Sequence, residues 1–459
     1  MLFFVFSRHV FGGTVVNSRS IHLSRFKMLS FNECDAVGFD MDHTLCRYDL
    51  LKLSEFTYKN MVKLSNERNG LSDVEVTKAF QDITECIFSG TLLFDIQHGT
   101  FLKLDCNGKI VKASLHQQFL SNDEISKIYP GCIYPHFPKL HNNIFTEPST
   151  YSYLDDNFCL SSMAVLNYLI MQQKVVLDNP EKTYSSKYIY FKIFKNYVDG
   201  IYKLWDWPVF EKGTSPYFEE LKKHPEYFLI KCSENLKSWL LDLRRSGKKV
   251  FLLTSSHCDY AQLVMNYCVG EDWRDYFDLI ISKAKKPRFF KEQYPFIKVD
   301  PDKVCEVKTD DIELLEQGGW YSEGNCDVLM KSFQSWTGKP DPKVVYCGDS
   351  LKSDIIYSKL LYNWEAVFIM DSLRTFKETA CAMSKEEEDL FFSSNWGPVL
   401  TCSSKDLTGT FYGQLISGYS SIAVPSVEDI AIKSQSTNHY FPTFSSNDLN
   451  GYYPKLLTK

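Results

Sequence analysis

The sequence predicts an α/β protein built on a doubly wound parallel β-sheet, with a large α+β segment inserted into it. Two observations predict this class. Short apolar runs of four to six residues alternate with helical patterns, as in sheets whose parallel strands are joined by crossover helices. Clusters of carboxylates, hydroxyls or lysines directly follow several of these runs, and ligands bind such sheets at the carboxyl ends of the strands.

Five apolar runs are the predicted strands, and each has the length of a strand that is buried on both faces. They are Ala36–Phe39, Val250–Leu253, Asp278–Ile281, Val344–Cys347 and Ala366–Met370. A helix is predicted before the second run, because Ser233 can cap its start and Gly247 suits the residue just past its end. Helix, strand and polar loop in this order are typical of a doubly wound sheet.

The long interval between the first two strands predicts an inserted domain. It is rich in Tyr and Phe, and Asn107-Gly108 is a two-residue turn signal between the hairpin strands Phe101–Leu104 and Ile110–Lys112. The predicted divisions of the chain are a leader at residues 1–32, a core at 33–50 and 231–390, an inserted domain at 51–230, and a partly irregular C-terminal extension at 391–459.

The first 32 residues have no acidic residue and are rich in Arg and Ser, a composition typical of a mitochondrial transit peptide. The alternatives are a disordered leader and an upstream extension with Met28 as the working start. We expect a cytoplasmic protein, with mitochondrial import as the alternative.

The composition excludes several classes of protein. The 51 Lys and Arg residues against 57 Asp and Glu residues give a net charge of −6, so the chain lacks the overall basic field of a nucleic-acid-binding protein. No apolar run approaches the roughly 20 residues that a membrane-spanning helix needs. The 14 cysteines are scattered singly with no C-x-x-C pair, which favours reduced thiols over disulfides or a zinc site.

Four polar clusters at predicted strand ends are the candidate site. They are Asp40 and Asp42, then Thr254, Ser255 and Ser256, then Lys283, Lys285 and Lys286, and finally Asp349 and Asp354. Paired carboxylates can divide nucleophilic and acid–base roles, hydroxyls and free amides bind anions, lysine neutralises phosphate, and carboxylates bind Mg²⁺. Each cluster alone is equally typical of a turn, a helix cap or a solvated loop, and spacing does not separate the three lysines.

Taken together, the clusters resemble the motifs of the haloacid dehalogenase (HAD) superfamily of phosphatases. Asp40, Asp42 and Thr44 match the first motif, Thr254 the second, Lys286 the third, and Asp349 and Asp354 the fourth. The segments Phe39–Leu45 and Lys286–Phe290 are similar to the cytosolic purine 5'-nucleotidase family. The match at Lys286–Phe290 is the reason for choosing Lys286 over Lys283 and Lys285 as the lysine of the third motif. The resemblance extends over roughly residues 33–430.

The resemblance implies a mechanism and a substrate class. Asp40 would attack phosphorus to form an aspartyl-phosphate, and Asp42 would act as general acid and then as general base. Thr254, Ser255 and Lys286 would bind the phosphate, with Thr44 in support. One Mg²⁺ would be held by the Asp40 side chain, the Asp42 carbonyl and Asp349, with Asp354 a water-mediated ligand or an orienting group. The inserted domain would be a cap that closes over a nucleoside 5'-monophosphate.

One departure leaves the base preference open. The purine nucleotidases carry an Arg, Asp and His series on a cap helix, and the equivalent stretch here, Val198–Trp205, lacks it. Another small phosphate ester is therefore an alternative substrate, and phosphate transfer to a second nucleoside is an alternative reaction. A different class of function is a weakly active or inactive nucleotide-sensing or partner-binding module. The sequence predicts neither a nucleic-acid nor a membrane partner, and it is compatible with a homo-oligomer.

Overall fold

A computed structural model describes most of the chain. The described residues are 28–65, 92–142, 146–147, 149–154, 157–159, 161–179, 184–375, 396–397, 399–402, 409–434, 439–444 and 451–453. The prediction of a transit peptide or leader concerns mainly residues 1–27, which lie outside these ranges. None of the described helices combines the length and the apolar character that crossing a bilayer requires. The cysteines within the described ranges are free thiols, as expected.

The described residues form nineteen strands. In chain order these are β1 (Met28–Leu29), β2 (Ala36–Phe39), β3 (Arg47–Tyr48), β4 (Leu92–Asp95), β5 (Thr100–Leu104), β6 (Ile110–Leu115), β7 (Gln118–Phe119), β8 (Thr146–Glu147), β9 (Tyr151–Leu154), β10 (Leu229–Ile230), β11 (Lys249–Leu253), β12 (Leu279–Ser282), β13 (Phe296–Asp300), β14 (Cys305–Val307), β15 (Gly319–Glu323), β16 (Val344–Gly348), β17 (Glu365–Ile369), β18 (Ile422–Val424) and β19 (Phe441–Pro442).

Helices lie between most of these strands. The α-helices of the described residues are α1 (Leu50–Ser65), α2 (Asn122–Ile128), α3 (Phe137–Asn142), α4 (Ser162–Gln172), α5 (Lys174–Asp178), α6 (Ser186–Trp205), α7 (Trp207–Glu211), α8 (Pro216–Lys223), α9 (Pro225–Phe228), α10 (Glu234–Arg245), α11 (Cys258–Cys268), α12 (Arg288–Lys291), α13 (Cys326–Thr337), α14 (Ile356–Tyr362), α15 (Phe411–Tyr419) and α16 (Val427–Ser434). Leu351–Ile355 is a short π-helix directly before α14.

The main sheet has nine strands in the order β14-β13-β15-β12-β11-β2-β16-β17-β18. The seven strands from β15 to β18 are parallel, and β13 and β14 add an antiparallel edge. The predicted α/β class with a doubly wound parallel sheet is confirmed, and the five predicted strands begin and end within one residue of those observed. The apolar runs marked the strands accurately because β2, β11, β12, β16 and β17 are almost wholly buried.

The first strand of the core, β2, lies at the centre of this sheet. It pairs with β11 on one side and with β16 on the other, so Gly38 lies opposite both Phe251 and Tyr346. After β2 the chain builds one half of the sheet outward through β11, β12 and β15, and then returns to build the other half through β16, β17 and β18. The carboxyl end of β2 therefore lies at the switch point, where such sheets bind ligands.

The helix predicted before β11 is α10, and its ends follow the expected rules. The Ser233 hydroxyl accepts a hydrogen bond from the Leu236 amide at 3.1 Å, which caps the first turn. The apolar face of the helix, including Leu240 and Leu243, is buried. Gly247 follows the end of the helix with a φ of 84°, a conformation that glycine adopts without steric cost.

The predicted insertion, residues 51–230, contains a second sheet. Its strands are antiparallel and lie in the order β7-β6-β5-β4-β9-β8. The hairpin predicted around Asn107-Gly108 is β5 and β6, but the two-residue turn is wrong. Asp105 N donates to Lys109 O at 2.9 Å, which leaves a three-residue loop with Gly108 at a φ of 82°. The Asp105 carboxylate accepts the amides of Asn107 and Lys109 at 2.8 Å, which stabilises this longer loop.

The chain enters and leaves residues 51–230 through two paired strands. β3 and β10 are antiparallel, with Tyr48 opposite Leu229 and Arg47 opposite Ile230. One hydrophobic cluster contains both Phe39 of β2 and Tyr58 of α1, so the packing is continuous across this junction. At the other end of the chain, β18 extends the main sheet beside β17, although it falls within the predicted C-terminal extension.

Candidate active site

Asp40 directly follows β2 at the centre of the sheet. Its amide donates to the carbonyl of Cys347 on β16 at 2.9 Å, and its Oδ1 accepts the Met41 amide at 2.8 Å. The residue is 9% exposed. The carboxylate is therefore fixed at the rim of the sheet, at the switch point, with a small part of its surface open.

Lys286 brings a buried positive charge to this carboxylate. Its Nζ lies 2.8 Å from Asp40 Oδ1 and 2.5 Å from Asp354 Oδ1, and the lysine side chain is 1% exposed. Burial opposes the charge, but the carboxylates of Asp354 and Asp40 outweigh it and raise the pKa of Lys286. The lysine is a permanent ammonium between two acids.

Three carboxylates converge at the same point. Asp40, Asp349 and Asp354 each present an oxygen, and these atoms all lie within 4.8 Å of one another. Two oxygens on opposite sides of Mg²⁺, at about 2.1 Å each, would be about 4.2 Å apart. The donor set is therefore of the right chemistry for a hard cation, and its oxygens lie close to the separation that coordination requires.

The fourth cluster depends on a glycine. A Cβ on Gly348 would lie 2.4 Å from Asp354 Cβ, so only glycine lets the π-helix at Leu351–Ile355 approach the end of β16. Both oxygens of Asp354 already have partners, with Oδ1 on Lys286 and Tyr346 and Oδ2 on the Ser350 amide at 3.2 Å. Burial raises the pKa of Asp354, against the attraction of the Lys286 ammonium. These bonds fit an orienting role for Asp354 better than direct ligation.

Asp42 has entirely different surroundings from Asp40, two residues away. Its Oδ1 accepts the Tyr48 hydroxyl and its Oδ2 accepts the Ser256 hydroxyl, both at 2.6 Å. Burial raises the pKa of Asp42, and the charge of Asp40 adds to this effect, while the two hydroxyls oppose it. One acid of the pair thus faces an ammonium, and the other is held by neutral hydroxyl groups.

The second and third motifs hold each other in place. The Ser255 hydroxyl accepts the Lys286 amide at 3.0 Å, and the Thr254 hydroxyl accepts the Ser256 amide at 3.1 Å. The Ser255 bond therefore joins the loops after β11 and β12, and the Thr254 bond stabilises the first of these loops. Thr44 was predicted to support the site, but its buried hydroxyl has no hydrogen-bond partner among the residues that the structure describes.

The structure separates the three lysines that spacing could not. Lys283 and Lys285 have positive φ angles of 50° and 52°, and their ammonium groups lie 2.8 Å from Glu306 and 3.0 Å from Glu323 respectively. Both are 18–23% exposed at the side chain. Of these three lysines, Lys286 alone points into the acidic site.

Three residues of the site were missed by sequence reasoning. Tyr48 binds Asp42, and the Tyr346 hydroxyl lies 3.0 Å from Lys286 Nζ, from Asp354 Oδ1 and from the carbonyl of Leu253. Asn157 Nδ2 donates to Asp349 Oδ2 at 3.4 Å and to Asp371 at 3.1 Å, which connects the insertion to the acidic site. Tyr346 lies inside an apolar run, where it looks like a core residue, so its hydroxyl gave no signal.

Aromatic rings line the site where the insertion meets the core. The ring of His43, between Asp42 and Thr44, lies 4.4 Å from Phe158 and 4.5 Å from Tyr48. Phe158 in turn lies 4.9 Å from Trp205, at the end of α6. Burial, with a smaller contribution from Arg374, holds the pKa of His43 well below its usual range, so this imidazole is neutral.

Comparison with known proteins agrees with the resemblance. The sequence pattern of the 5' nucleotidase family matches residues 25–440. The chain is 33% identical to 5'-nucleotidase domain-containing protein 1 of Bos taurus and 32% identical to that of Homo sapiens, in each case over 93% of this chain and 96% of the relative. It is 26% identical to human 5'-nucleotidase domain-containing protein 2, over 75% of this chain and 62% of the relative. The predicted similarity to this family is confirmed, and the chain belongs to the 5'-nucleotidase family.

Proposed function

We propose that this protein is a Mg²⁺-dependent phosphohydrolase that removes the 5'-phosphate of nucleoside monophosphates through an aspartyl-phosphate on Asp40. Family membership supports a nucleotidase. The observation that carries the mechanism is the position of Lys286, whose ammonium lies 2.8 Å from the carboxylate that would attack. Without neighbouring cations, a carboxylate and a dianionic phosphate would repel each other.

In the first step, an oxygen of Asp40 attacks phosphorus, and the bond from phosphorus to the ester oxygen breaks. Asp42 gives a proton to the leaving nucleoside oxygen. Lys286, the Thr254 hydroxyl and the Ser255 amide bind the phosphate oxygens as their charge is redistributed. The amide of Asp40 is tied to β16 at 2.9 Å, which fixes the backbone of the nucleophile for an in-line approach.

In the second step, water attacks the phosphorus of the aspartyl-phosphate, and Asp42 takes a proton from that water. Inorganic phosphate leaves and the Asp40 carboxylate is restored, so the sum is one ester and one water converted to one alcohol and one phosphate. A carboxyl group that first donates a proton and then accepts one needs an environment different from that of the nucleophile. The hydroxyl contacts of Asp42 at 2.6 Å meet this requirement.

Asp40, Asp349 and the backbone carbonyl of Asp42 would hold the metal, with Asp354 orienting Lys286. When bound, Mg²⁺ supplies positive charge that lets the nucleophile and the phosphate approach. The convergence of three carboxylates around a buried ammonium supports this assignment, because their negative charge exceeds that of Lys286 alone.

The insertion supports a small substrate. Asn157 of the insertion reaches Asp349, and Phe158 contacts the ring of His43 in the first motif, so we propose that residues 51–230 act as a cap over the site. In the stretch Val198–Trp205, Asp199 and Lys203 are exposed, whereas Trp205 is buried against Phe158. This stretch offers no polar series toward a base, and the proposal therefore includes no purine preference.

The test is a phosphate-release screen of the full chain against nucleoside monophosphates and sugar phosphates, with Mg²⁺ and with chelator. We expect turnover of nucleoside 5'-monophosphates with Mg²⁺, its loss with chelator, and its loss in Asp40→Asn. Asp105→Asn is a matched control, because Asp105 is equally buried at 9% exposure but lies in the hairpin loop of the insertion. It should retain activity.

A chemical trap tests the covalent intermediate directly. Borohydride reduces an acyl phosphate to an alcohol, so quenching during turnover should convert Asp40 to homoserine, which mass spectrometry detects. Passage of labelled phosphate to added inosine would instead indicate a phosphotransferase. Nucleotide binding by calorimetry without any phosphate release would contradict the enzyme and favour the binding module.

A further inference from the structure

We propose that three buried tyrosines form a hydrogen-bonded row that positions Asp42 for proton transfer and makes its position depend on the insertion. The row runs from Tyr217 through Tyr260 to Tyr48, and its last hydroxyl binds Asp42. The inference rests on the proposed hydrolase function and adds to it three positioning residues that act through Asp42 without touching the phosphate site.

The row begins at the carboxylate itself. The Tyr48 hydroxyl donates to Asp42 Oδ1 and the Ser256 hydroxyl donates to Oδ2, both at 2.6 Å. The carboxylate is therefore held from two sides, and rotation about its last bond would break both contacts. The Ser256 amide donates a hydrogen bond to the Thr254 hydroxyl, which fixes the position of Ser256. Tyr48 is therefore the partner whose position can vary with the rest of the molecule.

Tyr48 lies where the core is connected to the insertion. It lies in β3, through which the chain enters the insertion, and it pairs with Leu229 of β10, through which the chain leaves. A movement of the insertion about these two strands would displace the Tyr48 backbone. Its hydroxyl would move with it, and the contact with Asp42 would change.

The row then connects to the insertion a second time. The hydroxyls of Tyr48 and Tyr260 are 3.0 Å apart, and those of Tyr260 and Tyr217 are 3.4 Å apart. Tyr260 belongs to α11 of the core, and Tyr217 belongs to α8 of the insertion. The longest and weakest link of the row is thus the one between insertion and core, so a displacement of the insertion would break it first.

The chemistry of the row differs from that of an ordinary aromatic core. Tyr48, Tyr217 and Tyr260 are 0–3% exposed, and phenylalanine would fill the same space without burying a hydroxyl. A hydroxyl donates one hydrogen bond and accepts others, so Tyr48 can accept from Tyr260 while it donates to Asp42. Each bond in such a chain strengthens the next in a dry environment. A contact made at Tyr217 therefore affects the geometry at Asp42.

The test compares two leaving groups. The substrates are the best nucleoside 5'-monophosphate of the panel and its 5'-phosphorothiolate, in which sulfur replaces the bridging oxygen. A thiolate leaves without a proton, whereas an alkoxide needs one, so the oxygen ester alone depends on a well-placed Asp42. The measured quantity is kcat/KM, which covers phosphoryl transfer to Asp40 and excludes the later hydrolysis of the intermediate.

We expect Tyr48→Phe to lower kcat/KM for the oxygen ester by about 10- to 100-fold, within the range of general acid contributions, and to leave the sulfur ester almost unchanged. Tyr217→Phe should also lower kcat/KM for the oxygen ester alone, but by a smaller factor. Tyr217 itself touches neither Asp42 nor the phosphate site. The double variant should be no worse than Tyr48→Phe, because both residues act through one carboxylate.

Tyr129→Phe is the matched control, since Tyr129 also donates a buried phenol to a carboxylate, Asp95 Oδ2, at 2.7 Å in the insertion. Tyr129→Phe should not change the ratio of kcat/KM for the oxygen ester to kcat/KM for the sulfur ester. Should Tyr48→Phe fail to fold, Tyr260→Phe interrupts the row in its middle and carries the same expectation. Equal losses on both esters, or additive losses in the double variant, would overturn the inference. A wild-type chain that hydrolyses neither ester would instead overturn the proposed function.

Discussion

The ammonium of Lys286 lies 2.5 Å from a carboxylate oxygen of Asp354, and both side chains are at most 1% exposed. Breaking a buried pair leaves an uncompensated charge, which costs about 3–5 kcal/mol. Lys286→Met should therefore lower the free energy of unfolding by about this amount and also abolish phosphate release. Urea unfolding and the phosphate assay measure the two effects separately.

A compensating change separates stability from function. Adding Asp354→Asn to Lys286→Met removes one of the stranded carboxylates, so stability should partly return while activity stays lost. The control is Lys298→Met, because Lys298 is 44% exposed and its partner Glu316 is 71% exposed. Exposed pairs contribute little. If Lys286→Met and Lys298→Met both unfold at the same urea concentration as the wild type, the Lys286 ammonium does not form the buried ion pair described above.

Gly348→Ala should disable the site through a single methyl group. The new Cβ would lie 2.4 Å from Asp354 Cβ, which forces the π-helix away from the end of β16. We expect a loss of about 1–3 kcal/mol, typical of overpacking, together with loss of activity. Gly418→Ala is the control, because nothing lies within 4 Å of its added Cβ and α15 favours alanine over glycine. Normal activity in Gly348→Ala would contradict the close approach.

Metal binding should be visible without any turnover. Mg²⁺ at 100 times its dissociation constant should stabilise the folded chain by about 2.7 kcal/mol, which raises the melting temperature. Asp349→Asn should remove this rise, since Asp349 belongs to the carboxylate cluster, whereas Asp105→Asn should keep it. Differential scanning calorimetry with Mg²⁺ and with chelator measures it. A rise that survives Asp349→Asn would place the metal elsewhere.

The pH dependence of stability should depend on His257. Burial, with the charges of Lys283 and Lys285, lowers the pKa of His257 to about 3. As the pH falls below about 6.5, the unfolded chain takes up a proton that the folded chain refuses, so stability is full above that pH and is lost below it, at up to about 1.4 kcal/mol per pH unit.

His257→Gln removes this contribution, so the unfolding free energy of the variant should fall less steeply between pH 6 and pH 4 than that of the wild type. His224→Gln is the control, because the His224 side chain is 57% exposed. Urea titrations at a series of pH values give both slopes. Parallel curves for wild type and His257→Gln would contradict the lowered pKa.

The strands and the order of the site were predictable because they depend on local signals. An apolar run such as Val344–Cys347 shows a buried strand directly, and the parallel topology then brings the strand ends to one rim. The choice among three lysines was not predictable from spacing. The positive φ angles of Lys283 and Lys285 turn their side chains to Glu306 and Glu323, and such backbone detail has no signature in sequence.

The tyrosine partners of the acids were missed for a related reason. Tyr346 lies in an apolar run, where a tyrosine looks like part of the core, and Tyr48 lies between Arg47 and Asp49, where nothing marks its hydroxyl as a partner of Asp42. Their roles depend on which atom lies opposite each hydroxyl, and in the Tyr346 case that atom belongs to a residue 93 positions away, the carbonyl of Leu253. Contacts of this kind follow from the assembled fold alone.

The central position of β2 also affects how the protein is made. Ribosomes produce Asp40 early, whereas Asp349 and Asp354, which follow the neighbouring strand β16, are synthesised only after both the insertion and the first half of the sheet. A nascent chain, or a product truncated before β16, would carry Asp40 and Lys286 but neither Asp349 nor Asp354. Premature termination should therefore yield inert polypeptides rather than partially active phosphatases.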